Sequence, residues 1–320
     1  MLADLAMTDA LHSPYRLTDD QIAQYRRDGF IRLSHVFDAA TLHAFGAEIT
    51  RLTLALNTQN KPLAERGTYD SAFLQVMNLW RESAVVREFV FGRRLAGIAT
   101  ALMEADAVRL YHDQSLYKEP SGGITPAHAD QYYWPLASDR TITAWIPLQA
   151  VPLPMGPLAF YTGSHRTALG RDLPISDESE AAITAAMEAQ GFAIDECAYA
   201  LGDVSFHSGW TFHRAGANRT DRPRSVMTMI YMDAQMRLAE PANAMQAADW
   251  AQWCPGATVG AVIDTPLNPV LNPMLNPVLN PVLQDKTDAP AVWHPVEGGA
   301  DSAAHGHAVP SRHARRDHRQ

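Results

Sequence analysis

Apolar residues recur at helical spacing through the first hundred positions of the chain and fall into short strand-like runs after that. Thr18 precedes Asp19, Asp20 and Gln21, a capping-box pattern, ahead of Ile22 and Tyr25. Gly29 ends this predicted helix, and Phe30, Ile31, Arg32 and Leu33 read as a short strand. The helical period returns over 39–56 and fits two further helices over 83–91 and 93–103. Residues 108–117 are rich in Tyr, Leu and Val. Runs at 141–148, 158–161, 204–206 and 226–232 are bounded by Gly, Pro, Asp or Ser, as strands are. One helix, near 177–190, interrupts them. Helices followed by a series of strands predict an α+β, mainly β chain whose strands close as a sandwich or a jelly roll. Spacing alone does not separate those two.

The ends read differently. Residues 1–16 are expected to be a flexible start, 17–270 a single domain, and 271–320 an extension. From Leu267 to Val282 the chain repeats every four residues, LNPV, LNPM, LNPV, LNPV. Proline at every fourth position removes a backbone donor each time and forbids both helix and central strand. A unit of four is far too short for a solenoid, so this is a local tandem expansion. The remainder, rich in Ala, Pro, Gly, His and Arg without an apolar period, is expected to be disordered.

Composition narrows the function. Of 320 residues, 47% are hydrophobic and 19% charged, as in a globular protein. A net charge of -9 excludes nucleic acid as the main partner, since no basic face interleaved with aromatics is available to phosphate. Two cysteines, Cys197 and Cys254, form no disulfide framework and no CxxC pair. There is no apolar stretch of membrane-spanning length and no secretory pattern at the start. The expected setting is cytoplasmic and reducing, away from membranes.

One short pattern carries chemistry. Pro126-Ala127-His128-Ala129-Asp130 sets an imidazole and a carboxylate two residues apart, on one side of an extended backbone. A third ligand from a distant strand completes a 2-His-1-carboxylate face and leaves three adjacent metal positions open for co-substrate and oxygen. His213 is placed on the strand-like run after Gly202-Asp203, and Arg224 follows eleven residues later. An arginine there is able to grip a carboxylate with its two-pronged guanidinium. Five of the thirteen histidines (His294, His305, His307, His313 and His318) lie in the tail and read as solvated.

The stretches HDQSLYKEPSGGITPAHADQYYWPL, ITAWIPL, MGPLAFYTGSHR and GDVSFHSGWTFHRAGANRTDRPR, with the opening LTDDQIAQYRRDGFIRL, resemble the phytanoyl-CoA dioxygenase family of Fe(II)/2-oxoglutarate-dependent oxygenases. The resemblance covers residues 17 to 270. It implies a double-stranded β-helix, a cupin-like jelly roll, buttressed by N-terminal helices. It implies Fe(II), 2-oxoglutarate and O2 as cofactors, with His128, Asp130 and His213 on the metal and Arg224 on 2-oxoglutarate. His213 is preferred to His207 as the distal ligand because Asn218 and Arg224 stand where the family pattern puts them. Lys118, Gln114, Thr143 and Trp145 are expected near the co-substrate. Tyr132, Tyr133, Trp134 and Trp210 are expected to line a substrate pocket with Ala129, while His165 belongs to a structural turn. Three departures are alanines: Ala215 where the family often has serine, and Ala127 and Ala129 beside the first ligand. They imply a roomier entrance and a mostly apolar, ring-containing or long-chain substrate in preference to a compact amino acid.

The implied reaction is hydroxylation of an unactivated C–H bond of a small organic or secondary-metabolite substrate, with release of succinate and carbon dioxide. Desaturation, epimerisation or ring formation use the same cofactors and stay open. Halogenation does not fit, because Asp130 occupies the place that halide needs. A catalytically silent jelly-roll binding module is the alternative of another class, and Arg224 speaks against it. Substrate identity and oligomeric state are not written in the chain. Truncation after residue 283 removes no candidate ligand and no segment with a core-facing period. The shortened chain is therefore expected to match the full chain in melting temperature and turnover, and a large loss of either would show that the tail packs on the domain.

Overall fold

The computed structural model describes residues 9–271, which fall within one compact unit. Residues 1–8 and 272–320, with the later LNPV repeats and the expected disordered tail, lie outside the described residues. The capping box forms as expected. Thr18 Oγ1 accepts from the Gln21 amide at 3.2 Å, and Gln21 Oε1 accepts from the Thr18 amide at 2.9 Å. Helix α1 (Asp19–Asp28) ends at Gly29, whose φ of 82° needs glycine. Strand β1 (Phe30–Leu33) follows, then helix α2 (Ala39–Leu56).

Eleven strands are present among the described residues. After β1 come β2 (Leu74–Met77), β3 (Val108–Lys118), β4 (Thr125–His128), β5 (Thr141–Pro147), β6 (Leu158–Tyr161), β7 (Ile194–Glu196), β8 (Val204–Ser208), β9 (His213–Ala215), β10 (Arg224–Asp233) and β11 (Val270–Leu271). The larger sheet runs β1-β8-β5-β10-β3-β11, with β2 also on β3; the smaller runs β4-β9-β6-β7. All these pairings are antiparallel. Two antiparallel sheets with crossing connections form the double-stranded β-helix, not a simple sandwich.

Strict alternation decides which side chains meet the interior. Ile142, Ala144 and Ile146 of β5, Val204 and Phe206 of β8, and Met227, Met229 and Tyr231 of β10 face outward. They bury against α2 and the helices Ala84–Val90 and Arg93–Met103 in one apolar cluster. The intervening residues, Thr143, Trp145, His207 and Thr228 among them, therefore point between the sheets. In β3 the register slips where Ile230 pairs with His112 and Tyr231 with Leu110. Tyr111 is the extra residue, and the bulge sends Gln114, Leu116 and Lys118 inward while Ser115 bonds Thr53 of α2 at 2.6 Å.

The start of the expected domain needs correction, while the first quartet lies inside it as expected. The start was expected to be flexible through residue 16, yet Leu11 is fully buried in the helical cluster, and Arg94 donates to Ser13 O at 2.8 Å. Burying one leucine and one backbone carbonyl fixes the segment from residue 9. At the other end the first quartet, Leu267-Asn268-Pro269-Val270, is built into the sheet edge. Asn268 is fully buried and donates to Leu110 O at 3.2 Å and Tyr111 O at 3.1 Å. Pro269 O accepts from Leu110 N at 3.1 Å, and β11 then pairs with Arg109 and Val108. Proline is tolerated because this is an edge strand. Among the described residues, no helix is long and apolar enough to cross a membrane.

Asp113 faces the helices from β3. Its carboxylate accepts from the Leu79 amide at 2.8 Å and the Trp80 amide at 3.2 Å. Burial pushes its pKa up from 3.8 to about 7, against those two amides, which lower it. The folded chain thus holds this proton more tightly than the unfolded chain. The stabilisation is complete below about pH 4 and lost as pH rises through about 7. The melting temperature of Asp113→Asn relative to the parent is expected to rise by at least about 3 °C between pH 5 and pH 8. A difference that is flat across that range would rule the linkage out.

Candidate functional site

His128 closes β4 and His213 opens β9, and the two residues pair directly across the smaller sheet. Their ring centroids lie 4.3 Å apart. The expectation that His213 continues the run from Gly202-Asp203 is corrected. That run is β8 in the larger sheet, and the turn at 209–212 carries the chain across to the smaller sheet before His213. Gly209 makes the crossing possible, because a Cβ there would meet Gln131 Oε1 and Thr141 Oγ1 at 2.4 Å.

Both imidazoles are fixed in tautomer. His128 Nδ1 lies 2.7 Å from Pro126 O, and His213 Nδ1 lies 2.9 Å from Thr211 O. A carbonyl only accepts, so each Nδ1 carries the proton and each Nε2 presents a lone pair. Asp130 follows on a 3-10 turn, with Oδ1 3.5 Å from His128 Nε2 and 3.7 Å from His213 Nε2. The three ligand atoms lie within 4.8 Å of one another, a set able to hold a metal ion. The second carboxylate oxygen is occupied otherwise: Thr143 Oγ1 donates to Oδ2 at 3.0 Å, and His207 Nε2 lies 3.1 Å from it. His207 therefore stands behind the ligand set. Thr143, expected at the co-substrate, is turned to Asp130 instead. Burial pushes the Asp130 carboxyl up, but His213, His128 and His207 outweigh it and hold it well below the usual range. Burial, then His128, pushes His213 well below the usual imidazole value, which keeps it a neutral donor.

Arg224 begins β10 directly opposite Lys118 of β3, and both side chains are buried. Arg224 Nη1 donates to Gly156 O, its guanidinium carbon lies 5.5 Å from the centroid of the Trp145 ring, and its Nε has no protein partner. Lys118 Nζ donates to Gly123 O and, at 3.0 Å, to Gly216 O. Among the described residues neither cation has a carboxylate partner. Burial draws Arg224 down to about 10; burial and the neighbouring guanidinium draw Lys118 down to about 6. A buried guanidinium beside a buried amine that an anion would recharge, with no carboxylate to offset them, forms a seat for an anion. Asn218 shapes the approach to Arg224 by donating to Arg222 O at 2.7 Å.

Gln114 faces inward and accepts from Gln75 Nε2 at 3.0 Å, while Tyr69 donates to Gln75 at 3.3 Å. Tyr69 and Gln75 are missed by sequence reasoning; the stretch that carries them has no motif or period to flag it. Trp134 and Trp210 line a cavity of about 490 Å³ with Gln131, Gln246, Asp139 and Glu240; His128, Asp130 and His213 are not in its lining. Arg171 lies 4.4 Å over Trp210. Tyr132 and Tyr133 pack edge to face against each other at 5.0 Å, and Tyr133 accepts from the Ile175 amide at 2.7 Å, outside that lining. Ala129 does not line the pocket. With Ala127 it points away from the metal-ligand face and packs on Ile183, Met187 and Phe212, because alternation along β4 turns His128 inward and its neighbours outward. Ala215 does face inward, beside Trp145.

The profile of the phytanoyl-CoA dioxygenase (PhyH) family matches residues 25–226. The chain belongs to the phytanoyl-CoA dioxygenase family. The ectoine dioxygenase of Bordetella parapertussis (strain 12822) is 23% identical over 245 residues, 70% of this chain and 78% of that protein. Among solved structures, the epimerase SnoN in complex with Fe3+, alpha ketoglutarate and nogalamycin RO has a TM-score of 0.67 at 28% identity, over 79% of this chain and 98% of that one. The carbocyclase SnoK from nogalamycin biosynthesis also gives 0.67, at 24% identity over 81% and 99%, which speaks for the fold. EctD from S. alaskensis with 2-oxoglutarate and 5-hydroxyectoine gives 0.60 at 21%, over 79% and 90%. The jelly-roll architecture is thus common to this chain and those oxygenases.

His128→Ala, Asp130→Ala and His213→Ala are each expected to weaken Fe(II) binding at least about 100-fold, because each removes a donor atom. His165→Ala is expected to leave it unchanged, and His207→Ala to weaken it about tenfold. Equilibrium dialysis under anaerobic conditions distinguishes these. Iron retained in His213→Ala and lost in His207→Ala would exchange the two roles.

Proposed function

We propose that this chain is an Fe(II)/2-oxoglutarate-dependent dioxygenase hydroxylating an unactivated C–H bond of a small, ring-containing organic or secondary-metabolite substrate. The observation that carries the reading is the buried pair Lys118 and Arg224, without a counter-charge, in the same interior as His128, Asp130 and His213. His128, Asp130 and His213 hold the metal, with Nε2 lone pairs and one carboxylate oxygen presented to it. Arg224 and Lys118 hold the distal carboxylate of 2-oxoglutarate, a dianion whose far end matches two cations. A silent binding module has no use for either. Bound iron with 2-oxoglutarate and O2 supplies an oxidant strong enough for C–H bonds, leaving succinate and carbon dioxide.

The residues arrange the rest. Thr143 and His207 fix the rotation of Asp130, so one oxygen faces the metal position. The apolar walls around Trp145 keep water from the two cations. The cavity along Trp134 and Trp210, with Asp139, Glu240 and Gln246 in its lining, is of ordinary ligand-pocket size and offers both aromatic walls and polar groups to a substrate. Likeness to an epimerase at 28% identity supports a second reading with the same cofactors, in which the substrate radical is quenched without gaining oxygen. Product mass separates the two: a gain of one oxygen for hydroxylation, no change for epimerisation. Absence of succinate release over a panel of aromatic and glycosylated scaffolds would count against both.

Arg224→Lys keeps the charge but loses the fork. The 2-oxoglutarate concentration for half-maximal rate is expected to rise at least tenfold, about 1.4 kcal/mol, with iron affinity unchanged. Lys118, drawn to about 6, is largely neutral at pH 8 in the free site, and an anion beside it favours the charged form. Binding of 2-oxoglutarate should therefore take up a proton and weaken steadily as pH rises from about 6 to about 8. Calorimetry in buffers of different ionisation enthalpy reads the proton directly; uptake that persists in Lys118→Met would place it elsewhere.

A further inference from the structure

The cavity along Trp134 and Trp210 is lined by charges of one sign only. Asp139 and Glu240 are in its lining, and no lysine, arginine or histidine is. Neither carboxylate takes a hydrogen bond or an ion pair among the described residues. The nearby arginines are committed elsewhere. Arg140 pairs with Asp233 at 2.6 Å, and Arg237 donates to Gly260 O at 2.7 Å. Arg171 donates to His165 O at 2.6 Å and lies 4.4 Å from the centroid of the Trp210 ring, so this indole already carries a cation. Arg171 is outside the lining, and the cavity therefore meets another part of Trp210. Backbone bonds hold the walls in place. The Gln131 amide donates to Gly209 O at 2.9 Å, which brings Trp210 up to the turn that carries Trp134. The Ala239 amide donates to Pro135 O at 2.8 Å and sets Glu240 beside the same turn. Trp134 is only 5% exposed, and its Nε1 donates to no atom among the described residues.

We infer that this cavity binds an N-alkylated ammonium group, held against the indoles of Trp134 and Trp210 with Asp139 and Glu240 as its counter-charge. Indole is the aromatic ring that attracts a cation most strongly, and two of them stand in one cavity. An anion would meet two carboxylates and no cation. An uncharged ring would use the indoles and leave the carboxylates without a role. A primary ammonium is a compact, strongly hydrated charge, and indole walls return little for the water it loses. Alkyl groups spread that charge and suit the ring faces. The free Nε1 of Trp134 has a hydrogen bond to give to an oxygen carried near the nitrogen. That the ammonium group belongs to the substrate rests on the oxygenase reading proposed above. The substrate class is then a ring system bearing an alkylated amino substituent, recognised apart from the metal-ligand face.

The test uses the full chain without iron or 2-oxoglutarate and titrates choline by calorimetry. Beside it runs 3,3-dimethylbutan-1-ol, which has the shape of choline without the charge. Choline is expected to bind at least about tenfold more tightly than this alcohol. Trp210→Leu should weaken choline at least about fivefold, while Trp210→Phe, which keeps a ring, should stay within about threefold of the parent. Asp139→Asn combined with Glu240→Gln should also weaken it at least about fivefold. Both carboxylates are exposed, so this double variant decides the result even if Trp210→Leu folds poorly. Equal affinity for choline and the alcohol overturns the inference, and so does a parent chain that shows no saturable choline binding. Parent-like choline affinity in the double variant overturns it as well. A second arm measures succinate release by the iron-loaded chain over pairs of scaffolds, dimethylamino against acetylamino. The charged member is expected to give at least about tenfold higher kcat/KM. Equal release within every pair overturns the assignment of the cation to the substrate. No succinate from any scaffold counts against the oxygenase reading, on which the choline titration does not depend.

Discussion

The carboxylate of Asp130 is where the two sheets are tied together. One oxygen faces His128 and His213, which belong to the smaller sheet; the other takes Thr143 and lies against His207, which belong to the larger. A carboxylate with its two oxygens committed to opposite walls cannot rotate without breaking contacts on both. The spacing between the sheets is thereby coupled to the geometry of the metal-ligand cluster. Displacement of either sheet would be felt at the three donor atoms, which is why the helices that brace the larger sheet matter to chemistry they never touch.

That bracing follows from alternation. Each strand of the larger sheet gives one row to the helices and the other to the interior. The outward row is apolar, with Ile142, Ala144 and Ile146 typical of it. The inward row is freed from packing duty and carries Thr143, Trp145 and His207. The bulge at Tyr111 keeps the phase correct along an eleven-residue strand, so that Lys118 arrives opposite Arg224 facing inward. Without the extra residue the lysine would point to the helices.

Much of this was legible in the chain. Period and capping residues locate α1, α2 and the helices at 84–90 and 93–103 because an amphipathic helix writes its face into every turn. The long strands β5 and β10 are visible for the same reason. Short strands are not: β7 and β9 have three residues each and owe their existence to their neighbours. His213 was therefore assigned to the wrong strand while its pairing with His128 needed the fold. Arg224 was readable from its place after the distal histidine, but the burial of Lys118 was not, since a lysine in LYKEP looks like any solvated strand residue. Ala129 misled because a position beside a metal ligand in sequence is on the other side of the strand in space. Gln75 and Tyr69 carry no motif at all; only partner strands reveal what they face.

The first Leu-Asn-Pro-Val quartet, with Asn268 buried against β3, gives the tandem repeats a different meaning from that of a disposable tail. Whole units of four can be gained or lost and Pro266 is still followed by leucine, asparagine and proline, in the same phase relative to Arg109 and Leu110. Replication slippage in such a repeat changes the length of the chain without changing the residues offered to the sheet edge. The residues offered to the sheet edge are in that sense insulated from the number of repeats that follow them.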